Sequence, residues 1–87
     1  MTLYFIHCGF YDNEILDGVY EFHVNIPIIA DSVANAKAKV RTNSAFLAKK
    51  MHIDGIQEIK AVDGFCVQFE RSPEAVTYVN NIPYRDL

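Results

Sequence analysis

Tryptophan is absent from this 87-residue chain, and glycine, proline and cysteine number four, three and two. Neither GxGxxG nor GxxxxGK[ST] occurs, so the standard backbone cradles for phosphate are missing. HExxH and GxSxG are missing as well, and with them the zinc-protease helix and the nucleophile elbow. Cys8 and Cys66 lie far apart in no CxxC pair, too few for a disulfide scaffold. They are expected as free thiols on strands in a reducing compartment. No apolar run is long enough to span a bilayer. The start, MTLYFIHCGF, is broken by His7 and has neither a basic lead nor a small-residue cleavage site. A cytoplasmic protein with no membrane partner is the expectation. Positive charge is also scarce: 8 Lys and Arg against 11 Asp and Glu give a net charge of −3. That balance argues against a grip on phosphate backbones, so no nucleic-acid partner is expected. Lys37, Lys39, Arg41, Lys49 and Lys50 do cluster, and read as a solvated helix face.

What the chain has is an ordinary apolar fraction, 51%, enough for one modest core. Its organising stretch is His52–Glu70, HIDGIQEIKAVDGFCVQFE. Asp63-Gly64 between apolar-alternating flanks is a strong signal for a hairpin turn, because a type I′ turn needs positive φ at both central residues. After it, Phe65, Val67 and Phe69 alternate with Cys66, Gln68 and Glu70.

In order, Thr2–Gly9 reads as a first strand apolar on both faces, the mark of an interior strand. Phe10–Gly18 is a loop rich in turn formers. Val19–Ala30 reads as a second strand, with Pro27 marking an edge or a bulge. Asp31 or Ser32 caps a helix whose stripe is Val33, Ala36, Val40, Ser44, Leu47 and Met51. Thr42-Asn43-Ser44 predicts a break there. Phe46 falls off the single-helix stripe, and Asn43 or Ser44 is placed to cap a second short turn carrying it. The two strands of the organising hairpin follow. The expectation is an α+β, two-layer ββαββ sandwich: a mainly antiparallel four-stranded sheet, one main helix, and a short C-terminal tail. The domain spans 1–71, and the tail, 72–87, starts as a short helix at Ser72-Pro73-Glu74 and turns extended at Ile82-Pro83-Tyr84.

Two groups of residues carry chemistry. If the first two strands form a hairpin, His7, Glu21 and His23 share a face, and cross-strand neighbours stand close enough to hold one ion. His52 and Asp54 form a second pair, in which the acid orients the ring. The simpler reading of both is a polar sheet surface or a strand opening. Cys66 has no base assigned to it by sequence, so no catalytic residue is read and an enzyme is not expected. Tyr4, Tyr11, Tyr20, Tyr78, Tyr84, Phe5 and Phe22 interleave with acids rather than bases, and so read as packing groups.

Residues 52–65, HIDGIQEIKAVDGF, with the strand carrying Glu21 and His23 and with ADSVANAKAKV at 30–40, resemble the bacterial family known as domain of unknown function 1543. The resemblance covers roughly residues 3–70. It implies a small bacterial protein with single or tandem domains, and it carries no catalytic residue over. Occurrence in tandem implies that copies pair. The expectation is therefore a homodimerising module that binds a protein or a small molecule and needs no cofactor. Its interface would draw on Leu3, Phe5 and Val19, and on Tyr78, Ile82 and Tyr84 of the tail, unless the tail folds back over its own sheet. The alternative is a metal or small-molecule binding protein using the His7, Glu21 and His23 face.

Overall fold

The computed structural model describes residues 1–87. Strand β1 spans Thr2–Tyr11, β2 Glu21–Ala30 and β3 His52–Ile59, joined in an antiparallel sheet of order β2-β1-β3. Helices α1 (Val33–Val40) and α2 (Ser44–Ala48) lie in the connection from β2 to β3. A separate two-stranded ribbon, β4 (Ala61–Val62) with β5 (Phe65–Cys66), follows. The class is α+β, with one helical layer on one face of the sheet. The fourth strand is the main correction: the ribbon pairs only with itself, and residues 67–70 take no strand conformation.

Alternation along β1 decides the packing. Tyr4, Ile6 and Cys8 turn toward the helices and are buried, together with Ala30, Ala36 and Val40. Leu3, Phe5, His7 and Tyr11 point the other way, onto a face no helix covers. The Ser32 hydroxyl accepts from the amide of Asn35 and starts α1, and the Asn43 side chain accepts from the amides of Ala45 and Phe46 and starts α2. The break between them lets Phe46 turn onto the core while Leu47 stays largely exposed. The misfit in the single stripe is thus resolved by two short helices.

β2 begins at Glu21, so Val19 lies in the loop and not on the sheet. The loop is shaped by Asp12, whose carboxylate accepts from the amide of Glu14 and pairs with Lys49 at 2.9 Å. The turn at Val62–Phe65 has positive φ at Asp63 (53°) and Gly64 (83°), as a type I′ turn requires. No helix forms at 72–79. Residues Ser72–Ala75 make a single turn, and a 3₁₀ turn occupies Tyr84–Asp86, where extended chain was expected.

The chain beyond Lys60 adds little to the core. The accessible surface is 7155 Å², whereas a compact monomer of this mass, 9.9 kDa, exposes about 5200 Å². The radius of gyration is 15.0 Å, against about 12 Å for a compact chain of this length. The excess is an apolar arm: Phe65, Val76, Tyr78 and Tyr84 are 72%, 84%, 84% and 91% exposed.

Candidate metal centre

The site is built on the open face, over the central strand near one end of the sheet. In the β1–β2 register Tyr11 faces Glu21, Gly9 faces His23, and His7 faces Asn25. In the β1–β3 register Gly9 faces His52, and a bulge interrupts the ladder between His7 and Cys8. Its cause can be read in the residues. Ile53 pairs with Cys8 and Ile56 with Ile6, so two isoleucines three positions apart both face the core. Strict alternation cannot do that. Asp54 is the extra residue that restores the parity, and its carboxylate turns to the open face beside His52.

Four side chains from the two outer strands meet over Gly9 of the inner one. Glu21 Oε1 lies 2.9 Å from His23 Nε2 and 2.9 Å from His52 Nε2. Asp54 Oδ2 lies 3.1 Å from His23 Nε2, and Asp54 Oδ1 lies 3.2 Å from His52 Nε2. A methyl group at position 9 would collide with Glu21 Oε1 and stand 2.5 Å from Asp54 Oδ2 and 2.6 Å from His52 Nε2. The glycine is thus the floor on which the polar heads converge, a role for a strand glycine that depends on its lack of a side chain.

The electrostatics follow from the contacts. Ionised carboxylates only accept, so in the hydrogen bond between His52 Nε2 and Glu21 Oε1 the imidazole N–H donates, and the other three contacts are close ion-pair approaches. The His52 ring and then the Tyr11 hydroxyl, which donates to Glu21 Oε2 at 3.0 Å, hold the Glu21 carboxyl below its usual range. The same bond holds the Tyr11 phenol above its usual value. Exposure of the four side chains runs from 29% for Glu21 to 46% for His52, so solvent and ions reach them.

Both candidate groups read from the sequence are therefore one site. Glu21, His23, His52 and Asp54 come together, while His7 does not join them through a nitrogen. Its Nδ1 bonds Asn25 Oδ1 at 2.8 Å, and its ring stacks on His23 with centroids 4.9 Å apart. Gly9 and Tyr11 were missed as site residues. The signal available for Gly9 was a glycine inside a strand, and for Tyr11 its place opposite Glu21. Cys8 is buried on the other face, where burial pushes its thiol up, and Cys66 is exposed on the ribbon, so the site contains no thiol. Of the interface candidates, Leu3 and Phe5 are half-buried on the open face, and Val19, Tyr78, Ile82 and Tyr84 are exposed. Residues Ala75–Tyr78 border a cleft of about 370 Å³ with Leu3, Pro27 and Ile29, so part of the tail lies over its own sheet. No helix is long and apolar enough to cross a membrane. Comparison with protein families, with curated proteins and with solved structures returns no match.

Proposed function

We propose that this protein binds a divalent transition-metal ion through Glu21, His23, His52 and Asp54. One observation carries the reading. The ring nitrogens and carboxylate oxygens stand 2.9–3.2 Å apart at their contacts, close to the spacing of about 3.3 Å between neighbouring ligands in a tetrahedral shell with zinc–ligand distances of ~2.0–2.1 Å. Glu21, His52 and Asp54 offer ligand atoms within 4.8 Å of one another, and His23, outside that trio, touches Glu21 and Asp54 and would complete the shell by a shift of its ring. An ion would replace the shared protons and relieve the crowding of two carboxylates. Two imidazoles and two carboxylates suit Zn²⁺, Mn²⁺, Fe²⁺, Co²⁺ or Ni²⁺. The lack of thiolate disfavours Cu⁺, and the imidazoles disfavour Mg²⁺ and Ca²⁺. The ion would bridge β2 and β3 across β1, locking three strands together.

Thermal unfolding with and without Zn²⁺ tests this. At free metal 100-fold above Kd, linkage stabilises the fold by about 2.7 kcal/mol, which is a rise of roughly 10 °C or more in a chain of this size. His52→Ala should abolish the rise and His7→Ala should keep it. No rise in the parent protein sinks the proposal.

A second reading is favoured by the arm. Apolar groups exposed over 65–87, and a surface well above that of a compact monomer, suit a module that pairs with a second copy of itself. Light scattering at micromolar concentration tests it. A monomer mass, unchanged when residues 72–87 are removed, discards it.

A further inference from the structure

Beside β3 the sheet stops without its expected fourth strand. Because the order is β2-β1-β3, the outer edge of β3 has no strand partner. Helix α1 lies over β2 and β1 rather than over β3. Between that helix and the edge strand runs a groove of about 620 Å³. Its floor includes Met51, Ile53 and Ile56, and its wall on α1 is Val33, Lys37 and Arg41, residues at successive i, i+4 steps. Lys37 and Arg41 take part in no ion pair. Helix α1 contains no acidic residue at all. On a chain of net charge −3, this wall is a local concentration of unpaired positive charge.

We propose that this groove takes an extended acidic peptide by strand addition to β3. The free backbone groups of the edge supply the ladder, and the side chains at every second position face the groove, apolar ones onto its floor and acidic ones toward its α1 wall. Acidic side chains meet Lys37 and Arg41, and the guanidinium can grip a carboxylate through two parallel N–H donors. Charge selects this occupant over a second copy of the same chain. Edge-to-edge pairing of two β3 strands would set one Lys37 and Arg41 wall against another on the same face of the joined sheet, like charge against like. This peptide site does not rest on the metal reading, although His52 and Asp54 also line the groove.

The test uses the full chain with metal removed by chelator. The probes are a dye-labelled, acetylated octapeptide with serine at every second position and valine and glutamate taking turns at the others, the same peptide with lysine for glutamate, and the acidic peptide with its alternate amides N-methylated on one edge or the other. Binding is followed by fluorescence polarisation, and the site by amide shifts in NMR. Saturable binding of the acidic peptide alone is expected, with shifts at residues 52–59 and along the Lys37 side of α1. One of the two N-methylated forms should lose binding. The double variant Lys37→Glu/Arg41→Glu should bind the acidic peptide about tenfold more weakly or worse, and should keep its circular dichroism because both side chains leave the core side of α1. Several results would overturn the proposal: no saturable binding up to millimolar peptide, equal binding of acidic and basic peptides, indifference to both patterns of N-methylation, shifts confined to other surfaces, or protection of β3 amides by self-association without peptide.

Discussion

Residues 2–59 and residues 60–87 solve the same problem differently. The first stretch gathers one set of apolar groups on one side of the sheet and covers that side with helices: Ile6, Cys8, Ala36 and Val40 are fully out of solvent. The second stretch is as rich in large apolar residues but has no layer of its own to pack on. Its only regular pairing is a ribbon of two residues against two. A two-stranded ribbon is marginal in water by itself. Alternation is therefore necessary but not sufficient: Phe65, Val67 and Phe69 alternate as well as Tyr4, Ile6 and Cys8 do, yet only the latter are buried in the core.

The comparison can be broken most directly with one substitution on each side. Ile6→Ala opens a cavity beside Cys8 and Val40 and should destabilise the protein by about 2–5 kcal/mol. Tyr78→Ala in the arm should change stability by no more than ~0.5 kcal/mol. Urea denaturation of both variants checks this, and a large loss from Tyr78→Ala would show that the arm belongs to the core. Next in size is the open face. Gly9→Ala should leave a cooperative thermal transition but remove the rise of roughly 10 °C expected with Zn²⁺, because the methyl group displaces Glu21, Asp54 and His52 together. A full metal response in that variant would move the centre away from Gly9.

A smaller effect separates the ribbon from the sheet. Ala at position 64 cannot hold φ of +83° cheaply, so Gly64→Ala should cost the turn about 1 kcal/mol. Nothing packs where its methyl group would go. The loss should thus appear as faster hydrogen exchange at the amide of Val67, which donates to the carbonyl of Lys60 at 2.9 Å, while the melting temperature stays put. A matching fall in melting temperature would tie the ribbon to the body.

The smallest effect is electrostatic. The Lys49 ammonium, and after it the amide of Glu14, hold the Asp12 carboxyl below its usual value. A carboxyl depressed in the folded state stabilises fully above its unfolded pKa of about 3.9, and loses that contribution as pH falls through the folded value. Lys49, raised by the same contact, stabilises fully below about 10.4 and loses its share as pH rises through its folded value. The melting temperatures of the parent protein and Asp12→Asn should accordingly differ at neutral pH and converge toward pH 2. A constant gap would assign the effect to something other than this pair.

Much of the body was legible in the chain. The helix starts were narrowed to Asp31 or Ser32 and to Asn43 or Ser44, of which Ser32 and Asn43 cap, and Asp63-Gly64 announced its turn, whereas β1, apolar on both faces, did not say which side would be dry. The fourth strand was misread because alternation at 65–69 says nothing about whether a neighbour is there to pair with. Val19 was misplaced because β-branching favours a strand without fixing where the ladder begins. At the site, Glu21, His23, His52 and Asp54 were each visible, but as two groups. Joining them needed the strand order, which puts both outer strands against β1, and the bulge, which no local pattern announces. His7 was misassigned because sharing a face is weaker than facing across a pair: its partner is Asn25.

The bulge has a consequence for how this protein can change. Asp54 is a supernumerary residue, and without it His52, Ile53, Gly55 and Ile56 alternate out, in, out, in. Deletion of that one codon would give a regular ladder with both isoleucines still facing the core. It would take away the acid that closes the polar ring over Gly9. The proposed metal centre would thus be gained or lost in a single genetic step while the hydrophobic interior keeps its register. Lineages with and without the centre would then share one scaffold. The deletion variant should fold at least as well as the parent protein and show no thermal response to Zn²⁺.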